Sequence, residues 1–229
     1  MARRRLIAIV VAGALGLATL TGCRLETGSA AYVGATRVSQ QQVEDMLAAY
    51  QRDGGSLQTA DRPQARRSVT AEMVFVAVAR RFATEKGYAT PAFDYAAAAT
   101  QSSLPASDPY LRMHVQAVSY QQLLLQNSAA VTPTEADYRE IYQRLVAGGL
   151  TASYQQIKPE LQQINGIGAG LGLRNALTAA AKRYGVELNP LYGDIEYPLV
   201  RVSGTSGGTF VLVAVPLGSG GSPAVVDAR

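Results

Sequence analysis

Apolar side chains recur at helical spacing along most of this chain, and the pattern predicts a succession of amphipathic helices. The first row of apolar residues falls at i, i+3, i+4 and i+7 and consists of Val43, Met46, Leu47 and Tyr50. Ser39 and Gln42 stand at the spacing of a capping box just before this row. Gly54-Gly55 follows the row, so the first helix is expected to end there.

A second, longer helix is predicted from Pro63, which suits a first helical turn, to about Lys86, with Gly87 as its stop. Its middle, residues 74–79, is apolar on every side, which is typical of a helix buried at the centre of a bundle. The same residues are strong strand formers, so a buried strand is the alternative. The charged and alanine-rich flanks extend the pattern beyond the usual length of a strand and therefore favour the helix.

Several later helices are predicted from starts that contain proline. Thr90-Pro91 is expected to begin a helix that runs through the alanine-rich residues 96–99, and Asp108-Pro109 is expected to begin the next one. Residues 132–135 form the clearest boundary, because Thr132 can cap the helix and Glu135 can reach back to it. Two shorter helices are expected at 154–164 and at 173–184, the latter ended by Gly185.

β-Strands are predicted at both ends of the helical region. Residues 32–38 form a short strand or hairpin with Gly34 at its turn, and residues 198–203 and 209–215 form a hairpin around a glycine-rich loop. Pairing the N-terminal strand with this C-terminal hairpin would protect the exposed edges of both. The predicted fold is therefore mainly α with a small β-sheet, in a single domain at residues 31–217, followed by a disordered tail at 218–229.

The N-terminus has the pattern of a secretory signal. Arg3, Arg4 and Arg5 precede an apolar run at residues 6–20, which is shorter than a membrane-spanning helix needs. Leu20-Thr21-Gly22-Cys23 then resembles the lipobox of bacterial lipoproteins. The resemblance implies a signal peptide at 1–22, a diacylglyceryl group on Cys23, a lipidated tether at 23–30 and attachment to the extracytoplasmic face of the cell membrane. An uncleaved N-terminal anchor helix is the alternative.

Charge and cysteine content narrow the classes of function. The formal net charge is +4, but removal of the three signal arginines leaves 18 of the 21 basic residues against 17 acidic ones. The basic character therefore belongs mostly to the signal and does not indicate nucleic-acid binding. Cys23 is the only cysteine and is assigned to lipid, so no disulfide or thiol chemistry is expected.

Three features invite a reading as catalytic or cofactor sites, and none supports one. The glycine-rich residues 166–172 lack the spacing of a nucleotide-binding loop and follow a helix, so a flexible hinge is the preferred interpretation and no nucleotide is expected. His114 has no cysteine, aspartate or second histidine at ligand spacing, so no metal is expected. Asp194 and Glu196 resemble exposed turn charges more than a catalytic pair. No cofactor is expected, and the chain is not expected to be an enzyme.

Three segments together resemble the N-terminal domain of SurA-like and PrsA-like extracytoplasmic chaperones. They are residues 32–43, a strand turn followed by a capped helix, residues 131–138 with Tyr142, and residues 184–193, where Leu191 replaces an arginine. The resemblance implies a SurA-N-like helical array with the N-terminal strand paired to the C-terminal hairpin. Many relatives insert a parvulin prolyl-isomerase domain before the last helices, but the few residues between Gly149 and Tyr154 leave no room for one here.

The resemblance implies a chaperone or holdase that binds unfolded segments of exported proteins, without isomerase activity. The candidate client-binding residues are the methionines and aromatics of the predicted helices, of which two or three are expected to reach a groove. They are Met46, Tyr50, Met73, Phe75, Met113, Tyr120, Tyr138 and Tyr142. The alternative function is a structural or adaptor lipoprotein with one dedicated partner in the cell envelope. An envelope hydrolase is disfavoured, because no nucleophile–base pair is visible.

Overall fold

A computed structural model of the chain describes residues 28–204 and 208–218 and shows a mainly helical protein with small antiparallel sheets. The α-helices in this part of the chain are α1 (Gln40–Arg52), α2 (Arg62–Glu85), α3 (Tyr95–Ser102), α4 (Pro109–Gln126), α5 (Glu135–Ala147), α6 (Tyr154–Gln163) and α7 (Ile167–Tyr184). The strands are β1 (Ser29–Val33), β2 (Thr36–Ser39), β3 (Val186–Leu188), β4 (Ile195–Ser203) and β5 (Thr209–Gly218). The predicted fold class, mainly α with a small sheet, is therefore confirmed.

Local capping signals set several helix boundaries where the sequence predicts them. The Ser39 hydroxyl accepts the N–H of Gln42, and the Gln42 side chain accepts the N–H of Ser39, which completes the capping box of α1. Asp108 accepts the N–H of Leu111 at the start of α4. Residues 74–79 lie in the middle of α2, so the helix and not the strand forms there. Gly185 ends α7 in the left-handed conformation that glycine favours.

The helix starts predicted at Thr90-Pro91 and at residues 132–135 are wrong. No helix begins at Thr90-Pro91, because Asp94 caps α3 by accepting the N–H of Ala97. At the helix start predicted within residues 132–135, the capping residue is Thr134 and not Thr132, so α5 begins two residues later than expected. Thr134 forms its capping box with Asp137, whose carboxylate accepts the N–H of Thr134.

The glycine-rich segment 166–172 forms the start of α7, so the expected flexible hinge is wrong, and the helix predicted at 173–184 begins six residues earlier, at Ile167. Its glycines make room for neighbouring chain on two sides of the helix. A Cβ at Gly168 or Gly172 would lie 2.6 or 2.1 Å from a carbonyl oxygen of the segment that links α4 to α5. A Cβ at Gly170 would lie 2.4 Å from the Val200 side chain of β4. The absence of side chains therefore lets α7 pack closely against both neighbours.

The N-terminal strand pairs with a C-terminal strand, but the partner differs from the predicted one. One sheet has the order β2-β1-β3, and the β4-β5 hairpin forms a separate sheet of two strands. The predicted pairing of the N-terminal strand with the hairpin is therefore wrong. Asn189 ties β3 to β1 through hydrogen bonds from its backbone to Ala30 and from its side chain to Ser29. A 3-10 turn at Pro190–Tyr192 then interrupts the chain before β4 begins.

Both ends of the predicted domain differ slightly from expectation. β1 begins at Ser29, and Ser29 and Ala30 are fully buried, so these two residues are not part of a tether. β5 continues to Gly218, the first residue of the predicted tail. The hairpin lies over the core, where Tyr197 of β4 stacks on Phe75 of α2 with ring centroids 3.7 Å apart. Burial of two aromatic rings at this contact joins the hairpin to the helical array.

Candidate functional site

Three of the predicted client-binding residues line a single open groove, which we call the methionine groove. It has a volume of about 410 Å³ and lies between α1, α2 and α4 beside β2. Met46 of α1, Met73 of α2 and Met113 of α4 contribute to it. The chain has four methionines, so every methionine except Met1 lies at this one place. Methionine is flexible and polarizable, and it accommodates side chains of varied shape.

The groove is built from matching rows on two helices. On α2 the lining residues fall at i, i+3, i+4 and i+7 and are Met73, Val76, Ala77 and Arg80. On α4 the same spacing gives Pro109, Arg112, Met113 and Gln116. Each row is one face of a helix, so the two helices present a continuous stripe to the same opening. Val38 of β2 and Gln42 of α1 complete the side wall.

Arginines stand at the rim of the methionine groove, and the predicted site residues did not include them. Arg37, Arg80 and Arg112 line the groove, and its lining contains no carboxylate, histidine or cysteine. The guanidinium of Arg112 lies over the ring of Tyr95, 4.2 Å from the ring centroid. The Gln116 amide donates to the Tyr95 hydroxyl at 3.2 Å. The helical spacing of Arg80 from Met73 and of Arg112 from Gln116 is the sequence signal that could have found this rim.

The groove can bind apolar side chains, and its chemistry is that of a contact surface. Met113 and Val76 form the buried floor, while Met46 and Met73 are partly exposed above it. An open site with an apolar floor and a polar rim buries a ligand's apolar surface at roughly 25 cal/mol per Å². The lining residues contain no nucleophile beside a base.

Two of the predicted client-binding residues belong to the core. Phe75 is fully buried against Tyr197, and Tyr120 is buried beside Phe93 with ring centroids 5.9 Å apart. Neither side chain can reach a ligand on the surface of the folded protein. As candidate client-binding residues these two are therefore wrong, because an apolar residue on a helix surrounded by other elements packs inward.

The remaining three tyrosines are partly buried and lie away from the methionine groove. Tyr50 packs edge-on against Tyr110, with ring centroids 5.1 Å apart. Tyr142 donates to the carbonyl of Ala152 at 3.1 Å and packs edge-on against Tyr154. Tyr138 packs against the core as a partly buried residue. None of the three lines the groove.

His114 is paired with a carboxylate that the sequence did not reveal. Its Nδ1 lies 3.1 Å from Oε1 of Glu72, which joins α4 to α2, and the Tyr110 ring stacks beside the imidazole. The hydrogen bond that the imidazolium donates to the Glu72 carboxylate raises the pKa of His114 above its usual value, although burial opposes the shift. The pair is a link between two helices, and the described residues bring no further histidine or cysteine to it.

Glu196, one of the two carboxylates at the start of β4, is bound by an arginine of α5. The guanidinium of Arg144 holds the Glu196 carboxylate through two hydrogen bonds of 2.7 and 3.0 Å. The hydrogen bonds from Arg144 lower the pKa of Glu196, so this carboxylate stays ionised and engaged in the contact between α5 and β4. Its role is to attach the hairpin to the helical array.

The predicted lipidation site Cys23 lies outside the described residues, as do the signal peptide 1–22 and most of the tail. No helix within residues 28–204 is both long and apolar enough to cross a membrane. The described part of the chain also contains no group of three or more His, Cys, Asp or Glu residues that could hold a metal ion. Comparison with known proteins finds no matching family model, no matching curated protein and no matching solved structure.

Proposed function

We propose that this chain is a lipid-anchored, extracytoplasmic chaperone of the holdase type, which binds unfolded segments of exported proteins in the methionine groove. Binding buries the apolar side chains of the client and so lowers the concentration of free, aggregation-prone chain. The proposal includes no covalent step, no isomerase activity, no nucleotide and no cofactor. It carries forward the resemblance of segments 32–43, 131–138 and 184–193 to the SurA-like and PrsA-like domain.

The observation that carries the proposal is the convergence of Met46, Met73 and Met113 on one open groove. These residues come from three helices that are far apart in sequence. Methionine is uncommon in this chain, and a core needs no concentration of it at a surface opening. Adaptable apolar contacts at an open site are what a binder of varied segments requires.

The start of the described chain supports the proposed location. The carbonyl of Gly28 accepts the N–H of Gln40 at 2.8 Å, and the Gly28 backbone lies beside the Arg37 side chain at the groove. The few residues from Cys23 to Gly28 span at most about 18 Å when fully extended. A lipid on Cys23 would therefore hold the groove near the membrane surface from which exported chains emerge.

The test uses the absence of tryptophan from the chain. An unfolded apolar peptide that carries one Trp is added to the full chain in detergent micelles, and its fluorescence anisotropy is followed against a blank of detergent alone. We expect saturable binding, and we expect the double variant Met46→Gln/Met73→Gln to weaken it by about tenfold. That factor corresponds to losing part of the apolar contact of two partly exposed side chains.

Leu191→Ser is the matched control, because Leu191 is the most exposed large apolar residue in the described chain and does not line the groove. It should leave the affinity unchanged. Equal weakening by Leu191→Ser and by the methionine variant would refute the groove as the client site. A membrane pull-down with one stoichiometric partner, together with no binding of unfolded peptide, would favour the adaptor function.

A further inference from the structure

We propose that the methionine groove selects extended segments whose apolar residues are flanked by acidic ones. The inference rests on the proposed function and adds the chemical class of the client. It is based on the unbalanced charge at the rim, because arginines of β2, α2 and α4 line the opening together with the apolar floor and no carboxylate lines it.

Two of these arginines have no acidic partner within the described chain. Arg80 and Arg112 are exposed, and neither forms a salt bridge with any carboxylate that the structure describes. Elsewhere the protein pairs its arginines readily, as in the contacts of Arg174 with Asp137 and Glu140. The charge at the rim is thus available to a carboxylate of a bound segment.

The guanidinium of Arg112 is held in place before any ligand arrives. It lies 4.2 Å from the centroid of the Tyr95 ring, and Tyr95 accepts a hydrogen bond from Gln116 inside the groove. A planar guanidinium held on an aromatic face keeps its edge free to bind a carboxylate through two parallel hydrogen bonds. Tyr95, the first residue of α3, is therefore a positioning residue for the guanidinium of Arg112.

The shape of the site favours a peptide over a membrane surface as the partner. Arg80 and Arg112 are exposed, and they line the same opening as the partly exposed Met73 and the buried Met113. An extended segment can place an apolar side chain on the floor and a carboxylate at each edge. An anionic lipid surface is attracted to any exposed positive charge. Such binding requires neither a guanidinium fixed on an aromatic ring nor a recessed apolar floor.

The experiment compares three peptides that share one Trp-containing apolar centre and differ in their flanking residues, which are Glu, Gln or Lys. With the full chain in zwitterionic micelles, we expect the Glu peptide to bind about threefold to tenfold more tightly than the Gln peptide, and the Lys peptide to bind most weakly. The preference should shrink when the ionic strength rises from about 0.1 M to about 1 M, since the Debye length falls from about 10 Å to about 3 Å.

Substitutions test whether Arg80 and Arg112 cause the preference for the Glu peptide. Arg80→Gln/Arg112→Gln should lower the affinity for the Glu peptide to that for the Gln peptide and leave the latter unchanged. Arg139→Gln changes charge outside the groove and should preserve the preference. Tyr95→Ala should reduce the preference, whereas Tyr95→Phe keeps the aromatic face and should retain it.

The outcomes distinguish the proposed selectivity for acidic segments from the holdase proposal on which it rests. Equal binding of the Glu and Gln peptides, or a preference that survives Arg80→Gln/Arg112→Gln, would overturn the acidic selectivity and leave the holdase proposal standing. No binding of any peptide would overturn both. Rim-dependent binding to phosphatidylcholine–phosphatidylglycerol vesicles, with no preference among the peptides, would also overturn the inference and would assign the rim to the membrane.

Discussion

Replacement of Gly172 by alanine tests whether the glycines of α7 are packing residues. The added Cβ would lie 2.1 Å from the carbonyl oxygen of Ala129 and 3.3 Å from its carbonyl carbon. Both atoms belong to the backbone and cannot move away by a side-chain rotation. The helix or the linking segment must therefore shift if the variant is to fold.

The expected change combines two opposing effects. Within a helix, alanine is favoured over glycine by about 1 kcal/mol. Overpacking of this kind costs about 1–3 kcal/mol, and the very short distance to a backbone atom places Gly172→Ala at the upper end. The net loss of unfolding free energy is then about 2 kcal/mol, which lowers the Tm of a chain of this size by about 4–8 °C.

Thermal unfolding followed by circular dichroism measures this loss. Ala179→Gly is the calibration, because Ala179 is exposed on the same helix and its replacement should cost about 1 kcal/mol from helix propensity alone. Gly208→Ala is the neutral control, since no atom lies within 4 Å of an added Cβ there. A rise in Tm for Gly172→Ala would show that the segment has room to spare and would refute the packing role.

Three further predictions concern single side chains and their partners. Burial raises the pKa of Asp108 above the ordinary value of an aspartate, so the folded protein favours the protonated carboxyl and loses stability as pH rises through the raised pKa. Asp108→Asn should therefore gain in Tm relative to wild type as the pH is raised from acidic to neutral. The hydrogen bond to the Glu72 carboxylate raises the pKa of His114, so Glu72→Gln should lower Tm at acidic pH, and the difference between the two proteins should narrow as pH rises through that pKa. Phe75→Leu should cost about 1–2 kcal/mol through the lost stack on Tyr197, with no change in peptide affinity.

Helix boundaries were predictable where one local signal had no competitor. Ser39 with Gln42 is the only capping-box pattern before α1, and Asp108-Pro109 is a strong start for α4. Each of these signals acts within four residues, so no knowledge of the tertiary structure is needed to interpret it. The helical fold class follows from these signals and from the length of the apolar rows.

The start of α5 shows where local signals become ambiguous. Thr132 with Glu135 and Thr134 with Asp137 are both capping-box patterns, and they differ by two residues. The structure selects the second because distant parts of the chain act on both sides of it. The N–H of Val131 donates to the carbonyl of Gly168, which fixes the segment before the cap, and Asp137 also accepts from Arg174 of α7 at 3.1 Å.

The pairing of β1 with β3 depends on the turn at Gly185, which the sequence pattern did not reveal as a determinant of strand pairing. Residues 186–188 are too short to register as a strong strand, yet they complete the sheet with β1. Their position follows from Gly185, whose left-handed conformation turns the chain out of α7 and whose carbonyl accepts the N–H of Gly34. The longer and more apolar hairpin was the more obvious partner, but it instead covers the helices through Tyr197 and Leu199.

The sequence predicted some of the residues that line the methionine groove, such as Met73, but it also proposed residues that are buried, such as Phe75. Periodicity shows that Met73 and Arg80 share one face of a helix, and that Met113 and Arg112 lie together on another. It does not show which faces meet, since that depends on helix packing across long stretches of sequence. Phe75 lies only two positions from Met73 but points to the hairpin, so it is buried while Met73 remains partly exposed. An apolar residue that shares its helical row with an arginine is therefore a better candidate for a binding surface than one whose row is apolar throughout.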